Sequence, residues 1–394
     1  MATERLKIAY LCDLSPEKVW SYSGGNAQIY NALNTHVGDV TILSEGWHHA
    51  NILRRAISFM PSGIQLRLRW RAHMLLSSII ARGVSEELNR QRYDILFCAY
   101  SFHSLLGLKL PYPLLTVFTS DATQTIYKQS ELGGAFGSYL SLSRLMDPLV
   151  LNAERKVFRS TDLLLWPSAW LKQGADVLYG LNDSQSHVVP WGANIVAPPR
   201  TEVVFENPFY GKVRLLLIGR DWFAKGGPRA FEILSILVAQ GIDAHLTVVG
   251  CVPPDEHLRA EMTVYSSLNK SDPQERQTFD ALLKNAHFLV MPSYESYGFA
   301  FCEASAYGLP SLCLRVGGVP IVDNVNGHAL PPASSADKFA EVIVRYRNQP
   351  EAYKELREST RNYFEEALNW DVWGKNVSEL IQSALQMSLP NEQK

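Results

Sequence analysis

The sequence predicts an α/β protein with two successive parallel-sheet domains, and three observations carry that reading. Short apolar runs bounded by turn residues recur in both halves, with segments of helical spacing between them, and such alternation marks a parallel sheet covered by helices. A proline-rich stretch without helical period, Ile195 to Gly211, interrupts the series near its middle and reads as a linker. The length of 394 residues suits two or three domains at roughly 150 residues each.

Lys7 to Cys12 opens the first half; it is too short for a helix and flanked by turn formers, as a buried parallel strand would be. The loop SPEKVWSYSGG and the helix-like NAQIYNAL follow, then further strands at Val40–Leu43, Ile95–Cys98, Leu114–Phe118 and Leu163–Trp166. Beyond the linker, VRLLLIG, HLTVVG, FLVMPS and PSLCLR form a second alternating series, and from Ser334 onward the pattern is helical. The expected division is 1–205 for an N-terminal domain, 206–370 for a C-terminal domain and 371–394 for a last helix that crosses back. Open parallel sheets hold ligands at the carboxyl ends of their strands, so two such domains are expected to face each other across a cleft.

Hydrophobic residues make up 46% and charged residues 19% of the chain, a composition that buries a sizeable core. No run approaches the 18 or so apolar residues of a spanning helix, and Ile8 to Cys12 is too short for a signal-peptide core; a cytoplasmic protein is expected. A net charge of −2 excludes a globally basic nucleic-acid binder. Residues 1–200 carry 19 basic against 15 acidic side chains and the remainder 18 against 24, an asymmetry that suits two domains with different partners. Five cysteines without CxxC spacing point to buried free thiols rather than a disulfide framework or a zinc site.

Four segments carry chemistry. In IGRDWFAKGG, Arg220 and Lys225 follow a strand and precede a helix; two cations beside a helix N-terminus suit a diphosphate. In PSYESYGFAFCEASAYGLP, Glu295 and Glu303 are eight apart, and Tyr297, Gly298, Phe299 and Ala300 between them lead into a helix beginning near Phe299. A carboxylate offers about four lone-pair sites, so Glu303 suits the vicinal hydroxyls of a ribose and Glu295 those of a sugar ring. Gly317 and Gly318 form a turn whose backbone approaches a ligand or a neighbouring helix. Gly24 and Gly25, between strand and helix, match no GxGxxG fingerprint, which disfavours a nicotinamide site and leaves backbone approach to phosphate or sugar. Taken singly, each segment also reads as a solvated or capping loop.

The order GRDWFAKGG, HLTVVG, NKSDP, FLVMPSYESYGFAFCEASAYGLP, VGGVPIVDNVNGHALPP resembles the donor-binding domain of family-4-type retaining glycosyltransferases of the GT-B fold, two Rossmann-like domains facing across a cleft. VFTSDAT, LLLWPSAW and VVPWGAN resemble family counterparts in the first half. The resemblance implies that Arg220 and Lys225 bind the diphosphate of a nucleotide-sugar and that Glu303 holds the ribose. Glu295 then contacts the transferred sugar, backbone N–H groups of Tyr297 to Ala300 complete the pocket, and Gly24 and Gly25 approach the phosphates or sugar. Many family members have a histidine where Ser120 stands, which makes Asp121 the candidate for that contact. The base is expected to be read near Cys251 and the loop around Lys270.

No Asp-x-Asp triplet occurs, so fixed cations are expected to replace a metal, and no cofactor is expected beyond the nucleotide-diphosphate sugar. The implied reaction moves a hexose-type sugar, with retention, to a glycan, lipid-linked or small acceptor. A sugar-nucleotide-binding protein without transfer activity and a GT-B epimerase are the alternatives. Residues 46–85 contain Arg54, Arg55, Arg67, Arg69, Arg71 and Arg82 among apolar residues and no acidic one, a surface suited to an anionic membrane, with the inner face as the expected location.

Overall fold

The computed structural model describes residues 5–18, 21–43, 50–59, 72–135, 145–195, 197–200, 209 and 211–388. The chain forms two compact units: Met1–Gln129, Ser138–Trp191 and Trp370–Lys394 make the first, Ser130–Gly137 and Gly192–Asn369 the second. The expected boundary at 205 and most of the expected linker lie outside the described residues, as do Arg67, Arg69 and Arg71.

The first unit is built on β1 (Leu6–Leu11), β2 (Gly38–Ile42), β3 (Ile95–Ala99), β4 (Leu115–Thr119), β5 (Leu163–Trp166) and β6 (Ser186–Val188). They form one sheet in the order β2-β1-β3-β4-β5-β6, with every pair parallel. β1 pairs with β2 on one side and β3 on the other, so Ile8 lies opposite both Val40 and Ile95. Covered on both faces, such strands read as continuous apolar runs, and Ile8 to Leu11 are fully buried. Tyr10 stacks on Phe97 with centroids 5.9 Å apart. On the other face Phe118, Phe158 and Trp166 meet edge-on or tilted, geometries aromatic quadrupoles favour.

The last helix, Trp370–Ser388, belongs to this unit, so the chain does cross back. Trp373 is fully buried and meets Phe97 edge-on at 6.3 Å. Gly374 lets the helix lie close on Gly25–His36, because a Cβ there would stand 2.4 Å from His36 Cδ2.

The second unit is built on β7 (Val213–Ile218), β8 (Ala244–Val249), β9 (Met262–Tyr265), β10 (Phe288–Met291), β11 (Ser311–Leu314) and β12 (Gly327–Leu330). Their order is β12-β11-β10-β7-β8-β9, again all parallel. The direction of winding reverses between β7 and β10, and in the first sheet between β1 and β3. Connections leaving adjacent strands at such a point diverge to opposite faces and open a crevice at the carboxyl ends. The two α/β units are Rossmann-like, the architecture of the GT-B fold. All five cysteines are buried thiols.

Candidate active site

The crevice of the second sheet is made by the segments leaving β7 and β10. After β7 the chain turns at Gly219, where a Cβ would meet Lys225 Cγ at 2.1 Å, so the lysine lies directly over the strand end. The turn is held locally. Asp221 Oδ1 accepts from the Ala224 N–H at 2.7 Å, and the Trp222 indole N–H donates to His257 Nδ1 at 3.0 Å. Gly226 takes φ 74° and its absent Cβ would stand 2.3 Å from the Pro292 carbonyl oxygen, which seats this loop against the end of β10. Arg220 is exposed beside it.

Glu295 stands on the loop after β10. Its Oε1 accepts from Lys225 Nζ at 2.5 Å and from the Ser293 hydroxyl at 2.9 Å. Gly317, at φ 58°, would place a Cβ 2.3 Å from the Glu295 carbonyl, and the Gly318 N–H donates to the Ser296 carbonyl at 2.9 Å. The Gly317-Gly318 turn therefore braces the Glu295 loop. Gly298 adopts φ 95° and ψ 85° and caps the helix Phe299–Ala306 without a side-chain hydrogen bond. The expected helix start at Phe299 is where the helix begins.

Glu303 lies in that helix, only 4% exposed. Lys270 Nζ donates to both of its oxygens, at 2.9 and 2.8 Å, and rests 4.2 Å from the centroid of the Phe279 ring. Burial lifts the Glu303 pKa even against the lowering effect of Lys270, as expected when desolvation outweighs a single opposite charge. Tyr297 is buried and takes a long contact from the Cys302 thiol.

Within the second unit the structure brings Lys225 to Glu295 and Lys270 to Glu303, beside Gly298 and the start of its helix. The sequence groups Lys225 with Arg220 and Glu295 with Glu303 but does not disclose the lysine–glutamate pairing, since the partners are 70 and 33 positions apart. Trp191 and Trp222, beside glycine-containing loops, are buried. His287 is a core residue, accepting the Arg214 backbone N–H at Nδ1.

In the first unit, Gly24 and Gly25 sit where expected, between β1 and the helix Gly25–His36, with Gly24 at φ 90°. The two residues before them are also left-handed, Tyr22 at φ 49° and Ser23 at φ 55°, and Tyr100 after β3 has φ 63°. Non-glycine residues held there store about 1–3 kcal/mol each, and such strain collects at functional sites. The Tyr22 ring stacks face to face on Tyr100 at 3.8 Å, and its hydroxyl donates to Asp13 at 2.5 Å. Asp121 is half-buried after β4, and burial together with its charge pushes the Tyr100 pKa up. The Ser120 hydroxyl donates to the Ala122 carbonyl at 2.8 Å, so it serves its own turn.

Among the described residues no group of three or more His, Cys, Asp or Glu is placed to hold a metal ion, and no helix is long and apolar enough to cross a membrane.

With this geometry in hand, the likeness to known proteins is specific. Residues 212–349 match the family described as Glycosyl transferases group 1. The chain is 25% identical over 246 residues to the MMP alpha-(1->4)-mannosyltransferase of Mycolicibacterium hassiacum, covering 60% of this chain and 57% of that protein. It is 26% identical over 231 residues to the D-inositol 3-phosphate glycosyltransferase of Corynebacterium efficiens, covering 52% and 53%. The chain thus spans about half the length of the curated relatives it matches. Its fold is shared with sucrose-phosphate synthase from Thermosynechococcus elongatus, with a TM-score of 0.68 at 18% identity over 98% and 100% of the two chains. The lipopolysaccharide outer core galactosyltransferase WaaB gives 0.62 at 16% over 96% and 99%. The likeness to solved structures is one of fold, that of GT-B proteins; the family match is confined to residues 212–349. The group 1 match falls on the second unit and contains Arg220, Lys225, Lys270, Glu295 and Glu303.

Proposed function

We propose that the protein is a retaining, metal-independent glycosyltransferase that moves a hexose-type sugar from a nucleoside-diphosphate sugar to a glycan, lipid-linked or small acceptor. One observation carries this reading: two lysine–glutamate pairs, Lys225 with Glu295 and Lys270 with Glu303, link the segments that follow β7 and β9 to those that follow β10. Cleaving a sugar–phosphate bond builds negative charge on the diphosphate and positive charge at the anomeric carbon. Arg220 and Lys225 are proposed to stabilise the first, as preorganised cations do where charge develops. Glu303 accepts from the ribose hydroxyls and Glu295 from hydroxyls of the sugar, while Tyr297 to Ala300 approach the donor through their backbone. With both glutamates assigned to hydroxyls, the acceptor attacks on the face the phosphate leaves and its proton passes to the departing phosphate oxygen.

The first unit supplies Gly24, Gly25 and Asp121 to the same reading. Its exposed Ile52, Leu53 and Phe59, next to Arg55, are proposed to meet an anionic membrane from the cytoplasmic side. The chemistry is tested by incubating the protein with a panel of nucleotide-sugars and measuring released nucleoside diphosphate with and without acceptors. Acceptor-dependent release supports transfer. Release independent of any acceptor would identify an epimerase, and binding without release a protein that only holds the donor.

A further inference from the structure

Lys270 sits on a short loop whose backbone is tied down on both sides. The Asn269 N–H donates to Glu275 at 2.5 Å and the Ser271 N–H to Asn269 Oδ1 at 3.0 Å. Asp272 caps the helix Pro273–Asn285 by accepting from the Gln274 and Glu275 N–H groups at 2.9 and 3.0 Å. From this fixed base the side chain crosses to Glu303, and the Phe279 ring fixes its ammonium from another side. A lysine whose side chain is 44% exposed has water available, yet here it donates to both oxygens of one buried carboxylate.

We propose that Lys270 is a positioning residue for nucleoside recognition: it holds Glu303 as an oriented, doubly accepting carboxylate for the vicinal hydroxyls of a nucleoside diphosphate. The inference deepens the donor-site reading above and rests on it. Each carboxylate oxygen has two lone-pair sites, so Lys270 and a ribose hydroxyl share an oxygen without displacing one another. The other titratable groups facing Glu303 give no such support. Asp280 repels its charge, Tyr307 donates its hydroxyl to that same Asp280 at 2.7 Å, and the neighbouring Cys302 is a buried thiol held neutral by desolvation. Without Lys270, burial and Asp280 both favour the protonated acid. That acid turns one acceptor into a donor and loses the charge-assisted hydrogen bonds.

The test is calorimetric titration of UDP, GDP and ADP, and the 2′-deoxy counterpart of the tightest binder, into wild type, Lys270→Met and Lys270→Arg between pH 5.5 and 9. Wild type and Lys270→Arg should lose less affinity toward low pH than Lys270→Met. Lys270→Met should bind about tenfold or more weakly at pH 6, the scale of a lost hydrogen bond to a charged group, and approach wild type near pH 9. Its preference for ribose over 2′-deoxyribose should narrow at pH 6. Unchanged binding in Lys270→Met, or a loss of equal size at every pH, would overturn the proposal while leaving the donor site intact. Failure of wild type to bind any of the three nucleotides would overturn the donor-site reading and this inference with it.

Discussion

Lys225 and Glu295 hold each other at 2.5 Å across the crevice between β7 and β10, so the cation assigned to the diphosphate and the carboxylate assigned to the sugar neutralise one another before any donor arrives. A donor has to divide them. Glu295→Gln should free Lys225 for phosphate, so nucleoside diphosphate without sugar binds as tightly as to wild type or tighter, while turnover of the complete donor falls about tenfold or more. Titration of the diphosphate beside steady-state rates checks the two opposed effects. Because both side chains are partly exposed, the pair itself should contribute no more than about 1 kcal/mol to stability.

Gly298→Ala should raise the donor KM and lower the melting temperature. A side chain at φ 95° is strained, and the new Cβ would stand 2.8 Å from the Phe301 ring. A left-handed residue costs about 1–2 kcal/mol, readable by thermal denaturation.

Which features the sequence disclosed follows physical lines. The central strands β3, β5 and β10 are buried throughout and so appear as unbroken apolar runs. β6, β9 and β12 lie at sheet edges, and SHV, MTVY and GHAL carry polar or glycine residues that break the run; they were not foreseen. The glutamates and Lys225 were recognisable by type and spacing. Their pairing was not, because contacts 33 and 70 residues apart are set by which strands adjoin, and strand order is not written in any local pattern. The left-handed Tyr22, Ser23 and Tyr100 carry no glycine to announce them, so only the structure shows the strain after β1 and β3.

Glu154 offers a pH test of the first unit. It is fully buried and accepts from the Thr125 and Tyr179 hydroxyls at 2.5 and 2.9 Å, yet burial still raises its pKa. A carboxyl whose folded pKa is raised binds more protons in the native state, so its contribution to stability falls as pH rises from the unfolded value through the folded one. The melting temperature of Glu154→Gln relative to wild type should therefore climb between pH 4.5 and 8. A constant difference across that range would count against a buried, ionising Glu154.

Trp373 ties the last helix to the first unit through Phe97. Trp373→Ala should cost about 3–5 kcal/mol, seen as a lower denaturation midpoint. A variant as stable as wild type would contradict the packing described.

For the membrane surface, flotation with anionic vesicles should carry the protein upward, and Arg55→Glu combined with Ile52→Ser should leave it at the bottom. Binding indifferent to vesicle charge and to both substitutions would remove that part of the proposal.

The most direct measurement of all is turnover of Lys225→Ala and Glu303→Ala, each verified as folded by its melting curve, on the donor that wild type uses best. Both should lose about a hundredfold or more in kcat/KM, the scale of removing a group that meets developing charge or anchors the donor. Wild-type rates in either folded variant would contradict a donor site built on these two lysine–glutamate pairs.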